Sequence, residues 1–164
     1  MISPPTNTPG RSADRIEDLV RLPQPPARVW RALTEPAELS AWFGAGLTGA
    51  TIAPGAHVTG RFTIPGHEQF TFDVTIEEMD AERRFTWRWH PGAADPSADF
   101  SAEPRTLVTF TLEGTPDGGT LLRVVESGFE GLAAARRTAA LLGNTKGWTT
   151  QLHERLPGYL ASAA

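Results

Sequence analysis

Apolar and polar residues alternate along several stretches of the chain with the two-residue period of a strand buried on one face. The clearest is QFTFDVTIEEM at 69–79, where Phe70, Phe72, Val74 and Ile76 share one face while Thr71, Asp73, Thr75 and Glu77 share the other. Phe85, Trp87 and Trp89 repeat the alternation against Arg84, Thr86 and Arg88, and Val108, Phe110 and Leu112 repeat it once more. Strands are predicted at 16–22, 47–53, 57–64, 69–79, 82–89, 105–113 and 120–127. In the first of these, apolar residues at 16, 19, 20 and 22 alternate imperfectly. Pro54-Gly55, Pro65-Gly66 and Asp117-Gly118-Gly119 punctuate the series as turns.

The period becomes helical in two places. Between Pro25 and Phe43 the chain reads PPARVWRALTEPAELSAWF. Pro25-Pro26 stops the first strand and suits a first helical turn, where the missing amide hydrogens have no partner to lose. Val29 and Leu33 lie four apart and Trp30 widens their face. Pro36 breaks this helix and fits the start of another, with Glu35 placed to cap it and Glu38 near the positive end of its dipole. Leu39, Trp42 and Phe43 form its buried side. After Gly128-Phe129, the stretch 131–142 has the composition of a helix former. Gly143-Asn144 is expected to interrupt it, and a final helix is expected over 145–160. There Trp148, Leu152, Leu156 and Tyr159 or Leu160 make a stripe, and Pro157 marks a kink or an end. The whole is an α+β plan: a curved antiparallel sheet of about seven strands around a long C-terminal helix, with two short helices after the first strand.

Length and composition narrow the class. A chain of 164 residues fits one domain, expected at 14–160, behind a polar, proline-rich leader at 1–13 that is expected to be disordered. The segment HPGAADPSADFSAEP at 90–104 is longer than most hairpin connections and is expected to be a disordered insertion rather than a lid. There is no cysteine, which excludes disulfides, thiolate metal sites and cysteine nucleophiles. A net charge of -4 and the lack of a reading motif argue against nucleic acid as a partner. No apolar run approaches the roughly eighteen residues of a membrane-crossing helix, so a cytoplasmic location is expected.

Candidate chemistry is sparse. An apolar pocket needs large walls and a few polar groups that converge on its guest. Wall candidates are Trp30, Trp42 and Phe43 on the paired helices, and Phe62, Phe72, Val74, Trp87, Trp89, Phe110 and Val124 on the strands. Trp148 faces them from the last helix. Each is also an ordinary core residue. Glu126 has the parity of Leu122 and Val124, which points it inward, while Arg123 has the opposite parity; a bulge before Gly128 would exchange the two. An inward carboxylate must be paired, hydrogen-bonded or protonated. His57, His67, His90 and His153 read as turn, loop or polar-face residues, and Arg136-Arg137 as a solvated helix face. No metal-ligand spacing, nucleophile elbow, phosphate loop or dinucleotide fingerprint occurs, so neither a metal nor a cofactor is expected.

VWRALTEPAELSAWF, FTWRW, LVTFTLE, ESGF and GWTTQLHERL, in that order, resemble the bacterial relatives of the heat-shock-protein-90 ATPase activator C-terminal domain. That family lies in the START-like, or birch-pollen-allergen-like, superfamily, and the resemblance spans residues 14–160. It implies a helix-grip fold with an apolar cavity between the curved sheet and the last helix. Relatives include hydrophobic-ligand carriers, polyketide aromatases or cyclases, and stress proteins. The expected function is non-catalytic binding of a small hydrophobic or amphipathic molecule, as a monomer or homodimer. The expected ligand-binding residues are Trp30, Trp42, Phe43, Phe72, Trp87, Trp89, Phe110, Glu126 and Trp148. Two alternatives stand beside it: a chaperone cofactor or stress-related interaction module, and a cyclase- or hydrolase-type enzyme acting in the cavity.

Overall fold

The structure is a computed structural model that describes residues 14–47, 49–92 and 99–163. The expected leader at 1–13 lies outside the described residues, as do 93–98 of the long loop. Six strands form one antiparallel sheet: β1 (Arg15–Leu22), β2 (His57–Arg61), β3 (Thr71–Asp80), β4 (Arg84–Trp89), β5 (Thr106–Gly114) and β6 (Thr120–Ser127). Their order is β1-β6-β5-β4-β3-β2, so only the first strand leaves sequence order to join the far edge. The sheet curves around a C-terminal helix, and two short helices, α1 (Pro26–Thr34) and α2 (Pro36–Phe43), follow β1.

Strand parity sorts the side chains as the sequence pattern predicts. Phe72, Val74 and Ile76 on β3, Phe85 and Trp87 on β4, Val108 and Phe110 on β5, and Leu122 and Val124 on β6 are all buried. On β1 the inward set is Ile16, Val20 and Leu22, and Leu19 is the residue left out, 40 % exposed. β3 and β4 change register between Ile76 and Glu78, which marks a bulge in β3.

The predicted strand at 47–53 does not form. The chain touches β2 through a single bridge, Ala45 to Phe62, and then turns, with Ala50 donating its backbone amide to the Leu47 carbonyl. Gly49 at φ +83° and the Pro54-Gly55 turn leave too little extended backbone for a ladder. The sheet therefore has six strands.

Prolines define the paired helices. Pro26 opens α1 and Pro36 opens α2, each within the first helical turn. Glu35 occupies the N-cap of α2, yet its side chain makes no cap hydrogen bond; this corrects the expected role. Glu38 is instead gripped from two sides, by Arg28 at 2.6 Å and by the Tyr159 hydroxyl at 2.8 Å. That contact ties the helical pair to the end of the chain.

The C-terminal helix departs from expectation in its continuity. α3 (Ala134–Thr150) runs through Gly143-Asn144 without a break, passes into a π turn over Gln151–Arg155, and continues as α4 (Leu156–Ser162). Pro157 neither ends nor breaks it. The π turn immediately before widens the helix, with the Leu156 amide bonded to the Gln151 carbonyl, so the proline ring avoids the carbonyl it would otherwise strike.

The segment that carries Gly46 and Leu47 crosses β2 so closely that a Cβ at Gly60 would strike the Gly46 carbonyl oxygen and lie 2.8 Å from Leu47 Cδ2. Gly60→Ala is therefore expected to cost about 1–3 kcal/mol of stability, the usual range for overpacking. A urea titration reads this as a lower midpoint at unchanged slope.

Candidate functional site

Glu126 lies on β6 between Ile16 of β1 and Val108 of β5, in regular register, so the bulge that would have exchanged it with Arg123 is absent. Its side chain points inward and is fully buried. Arg123 points outward and pairs with Glu17. Four donors converge on the Glu126 carboxylate. Trp148 Nε1 donates to Oε1 at 2.9 Å, and Thr106 Oγ1 and Trp89 Nε1 donate to Oε2 at 2.6 and 2.8 Å. Asn144 Nδ2 reaches both oxygens, at 2.9 and 3.1 Å. No cation takes part among the described residues. A carboxylate offers about four acceptor sites, and this shell fills them. Hydrogen bonds to a charged group contribute about 1.5–3 kcal/mol each, which together offset the several kcal/mol of burying the ion.

Two of those donors, Trp89 and Trp148, show their other faces to a cleft of about 550 Å³ at the end of the sheet. Phe43 at the C-terminus of α2 and Phe62 beyond β2 complete an aromatic wall, with ring centroids 6.0 Å apart for Phe43–Trp148 and 6.2 Å for Phe43–Phe62. The β2–β3 connection supplies Ile64, His67 and Phe70, and the end of β4 supplies His90 and Gly92. The helix contributes Gly143, Asn144, Lys146, Gly147, Trp148 and Thr150, followed by Gln151 and Arg155 of the π turn. A second depression of about 580 Å³ lies over the β3–β4 turn and the end of β5, lined by Asp80, Arg83, Arg84 and Glu113 among others. It is shallow and open to solvent, and the aromatic residues are all elsewhere.

The structure divides the sequence-derived candidates by their position along the strands. Phe43, Trp89 and Trp148 line the cleft, and Glu126 stands directly behind it. Phe72, Trp87 and Phe110 are closed inside the core, where Trp87 packs 4.9 Å from Phe110 and 5.6 Å from Phe72. Trp42 is also buried, its Nε1 donating to the Ala32 carbonyl at 2.7 Å. Trp30 sits against Phe85, apart from the cleft.

Four polar residues of the cleft had no signal in the alternation: His67, His90, Gln151 and Arg155. The last two are positioned by one requirement. The C-terminal carbonyls of α2 have no partners within their helix. Gln151 Nε2 donates to the Phe43 carbonyl at 2.9 Å, and Arg155 Nε donates to the Trp42 carbonyl at 2.6 Å. His90 ends β4, and its ring pKa lies below the ordinary 6.5, first because burial disfavours the imidazolium and next because of the Arg105 cation; Glu103 and Asp73 oppose the shift. His57 and His153 lie elsewhere, on Asp73 and Asp18. Arg136 is not simply solvated: it meets Glu103 at 3.3 Å and lies over the Phe100 ring at 4.8 Å.

Glu126→Ala strands four donors, of which Thr106 and Trp148 are buried, and is expected to cost about 3–4 kcal/mol, with a shift in tryptophan emission as the Trp89 and Trp148 indoles lose their partner. Glu126→Gln turns one acceptor oxygen into a donor facing donors and is expected to lose a smaller share; both are read by urea unfolding. At His90, the unfolded chain takes up a proton at higher pH than the folded chain, so this group removes stability as pH falls below about 6.5. His90→Asn is expected to flatten that limb of the stability profile, and an unchanged limb would refute the assignment.

Residues 23–161 match the family described as Activator of Hsp90 ATPase homolog 1-like protein. No curated protein matches the sequence. Among solved structures, the chain is similar to protein MLL2253 from Mesorhizobium loti, with 26 % identity and a TM-score of 0.67 over 92 % of this chain and 98 % of that one. It is similar to DynU16, of the dynemicin biosynthetic locus, at 24 % identity and a TM-score of 0.68, spanning about half (48 %) of that chain and 92 % of this one. A protein from Arthrobacter aurescens shares 16 % identity with a TM-score of 0.71, over 92 % of this chain and 87 % of that one. These likenesses agree with the strand order and the gripped helix, and the family match covers most of the sequence: the chain belongs to the Activator of Hsp90 ATPase homolog 1-like family, with the helix-grip fold of START-like proteins.

Proposed function

We propose that this protein binds a small hydrophobic or amphipathic molecule in the cleft between the end of the sheet and the C-terminal helix, without catalysing a reaction on it. The observation that carries the reading is a pair of glycines. Gly143 and Gly147 stand one turn apart on the α3 face that lines the cleft, and a Cβ at either would meet nothing within 4 Å. Each costs a helix about 1 kcal/mol relative to alanine. Both positions are solvent-exposed, and the two forgone side chains leave open a space above the aromatic wall that a larger residue would cover. The cleft volume of about 550 Å³ is in the range of small-molecule sites.

Two features support binding without catalysis. The one carboxylate behind the cleft, Glu126, is buried and has its acceptor sites filled by protein donors. The two histidines of the cleft, His67 and His90, are not hydrogen-bonded to a carboxylate among the described residues, so no acid–base pair faces the guest. Family membership favours a second reading, a chaperone cofactor. Binding to the heat-shock-protein-90 homologue of the same host, with stimulation of its ATPase, would support it; the absence of both counts against it.

Gly147→Phe tests the first reading without breaking the fold, since the position is open and the helix loses a glycine. Its melting temperature is expected to equal or exceed that of the wild type. Naphthol, a neutral aromatic probe, is expected to quench wild-type tryptophan emission in the micromolar range and to leave Gly147→Phe unchanged. Native mass spectrometry of protein from its own host is expected to show a retained small molecule in the wild type alone. A wild-type protein that neither retains a guest nor binds naphthol sinks the proposal.

A further inference from the structure

The charged side chains that line the cleft are of one sign. Arg155 and Lys146 line it, and no aspartate or glutamate does among the described residues. This runs against the rest of the molecule, whose net charge is -4. Nine other arginines meet a carboxylate within 4.0 Å, whereas Arg155 and Lys146, like Arg61, Arg83 and Arg105, do not among the described residues.

The two cations differ in kind. Lys146 is exposed on α3 at the mouth of the cleft. Arg155 is half-buried, and its Nε is committed to the Trp42 carbonyl, which fixes the plane of the guanidinium and leaves the terminal nitrogens for another acceptor. A guanidinium held in this way presents a fork that matches a carboxylate in two parallel hydrogen bonds. Half-burial also shields it from the screening that weakens surface charges.

A third group specifies a donor. Gln151 is 8 % exposed and lines the cleft, and its Oε1 has no hydrogen-bond partner. The amide is not free to flip, because its Nε2 donates to the Phe43 carbonyl and the reverse orientation would set oxygen against oxygen. A buried acceptor left alone costs about 1–3 kcal/mol; Oε1 is closed to solvent, so a guest hydroxyl recovers this cost only as the Gln151 side chain shifts to meet it. The remaining wall is aromatic, from Phe43, Phe62, Trp89 and Trp148, and offers stacking and edge contacts to a ring system.

We infer that the guest is an aromatic hydroxy acid, seated with its carboxylate on Arg155 and Lys146, its hydroxyl on Gln151 Oε1 and its rings against the Phe43–Trp148 wall. This rests on the binding reading above and names the chemical class of its ligand. The two lining cations face the guest, while the Glu126 carboxylate behind the wall is held by its own donors, so the cleft also sorts anions from neutral molecules of the same shape.

The test compares hydroxynaphthoic acid with its methyl ester by isothermal titration and tryptophan quenching. The acid is expected to bind the wild type about tenfold or more tightly than the ester, as a charge-assisted bidentate contact allows. In Arg155→Gln that advantage is expected to shrink to about threefold or less, and Arg155→Lys to recover part of it. Lys146→Gln, at an exposed position where the fold is not at stake, is expected to lower acid binding and leave ester binding unchanged. Naphthoic acid without the hydroxyl is expected to bind the wild type more weakly, and to lose less on Gln151→Leu than the hydroxy acid does. If the ester binds as tightly as the acid, the charge inference is overturned while the cleft remains a binding site. An acid preference that survives both Arg155→Gln and Lys146→Gln overturns the placement. If acid, ester and neutral naphthol all fail to bind, the binding reading falls and takes this inference with it.

Discussion

A carboxylate buried without a cation constrains everything around it. Glu126 must be surrounded by donors wherever it lies, and the chain brings them from three directions: Trp89 at the end of β4, Thr106 at the start of β5, and Asn144 with Trp148 on α3. The two helix donors are four residues apart, one turn along one face. Sliding the helix by a turn, or rotating it by a residue, would remove both at once and leave the ion unpaired at a cost of several kcal/mol. Apolar packing alone tolerates such slips, because hydrophobic contact is non-directional. The hydrogen bonds are directional, so they fix where the helix sits on the sheet. That placement in turn decides which helix residues look into the cleft.

The cleft is then what remains when the helix is held at that height. Trp89 and Trp148 are pinned by their indole nitrogens and cannot swing inward to fill the space, and Gly143 and Gly147 supply no side chains to fill it from above. The same two tryptophans serve as ligands of the buried ion on one edge and as cleft wall on the other. Rigidity of the site and burial of Glu126 are therefore one arrangement, and a guest meets a preformed surface rather than one that must be ordered at a cost in entropy.

Strand parity made much of this legible before any coordinates. It pointed Glu126 inward and Arg123 outward, short of a bulge that would exchange them, and it placed Phe72, Trp87, Trp89 and Phe110 on the concave face. Parity states which face a residue takes, however, and not how far along the strand the core closes. Trp87 and Trp89 have the same parity, yet Trp87 is fully buried and Trp89 borders the cleft because β4 ends there. The polar cleft residues escaped for a related reason. His67 comes from a connection and His90 from a strand end, where periodicity carries no information. Gln151 and Arg155 lie in a π turn whose spacing is neither 3.6 nor 2. Propensity alone predicts a break at Gly143-Asn144. Asn144 bonds to Glu126 and Trp148 packs beside it, so tertiary contacts hold the helix through the two weak residues. The strand expected at 47–53 failed because Gly49 and Pro54 bend the chain before a second bridge can form.

Three constraints meet at the π turn. A helix that must accept Pro157 needs its backbone widened just before that residue, and the widening falls at Gln151–Arg155. Within this turn Gln151 and Leu152 are both buried, and Arg155, four residues on, lies on the same face as Gln151. Those two side chains then reach the C-terminal carbonyls of α2, which would otherwise lack partners. One irregularity thus relieves the proline, caps a neighbouring helix and places an amide and a guanidinium at the cleft. It also links the cleft to the helical pair: any motion that drew α2 away from the sheet would have to break both side-chain bonds. Those two bonds hold α2 against the edge of the cleft, and the side chains that make them also line it.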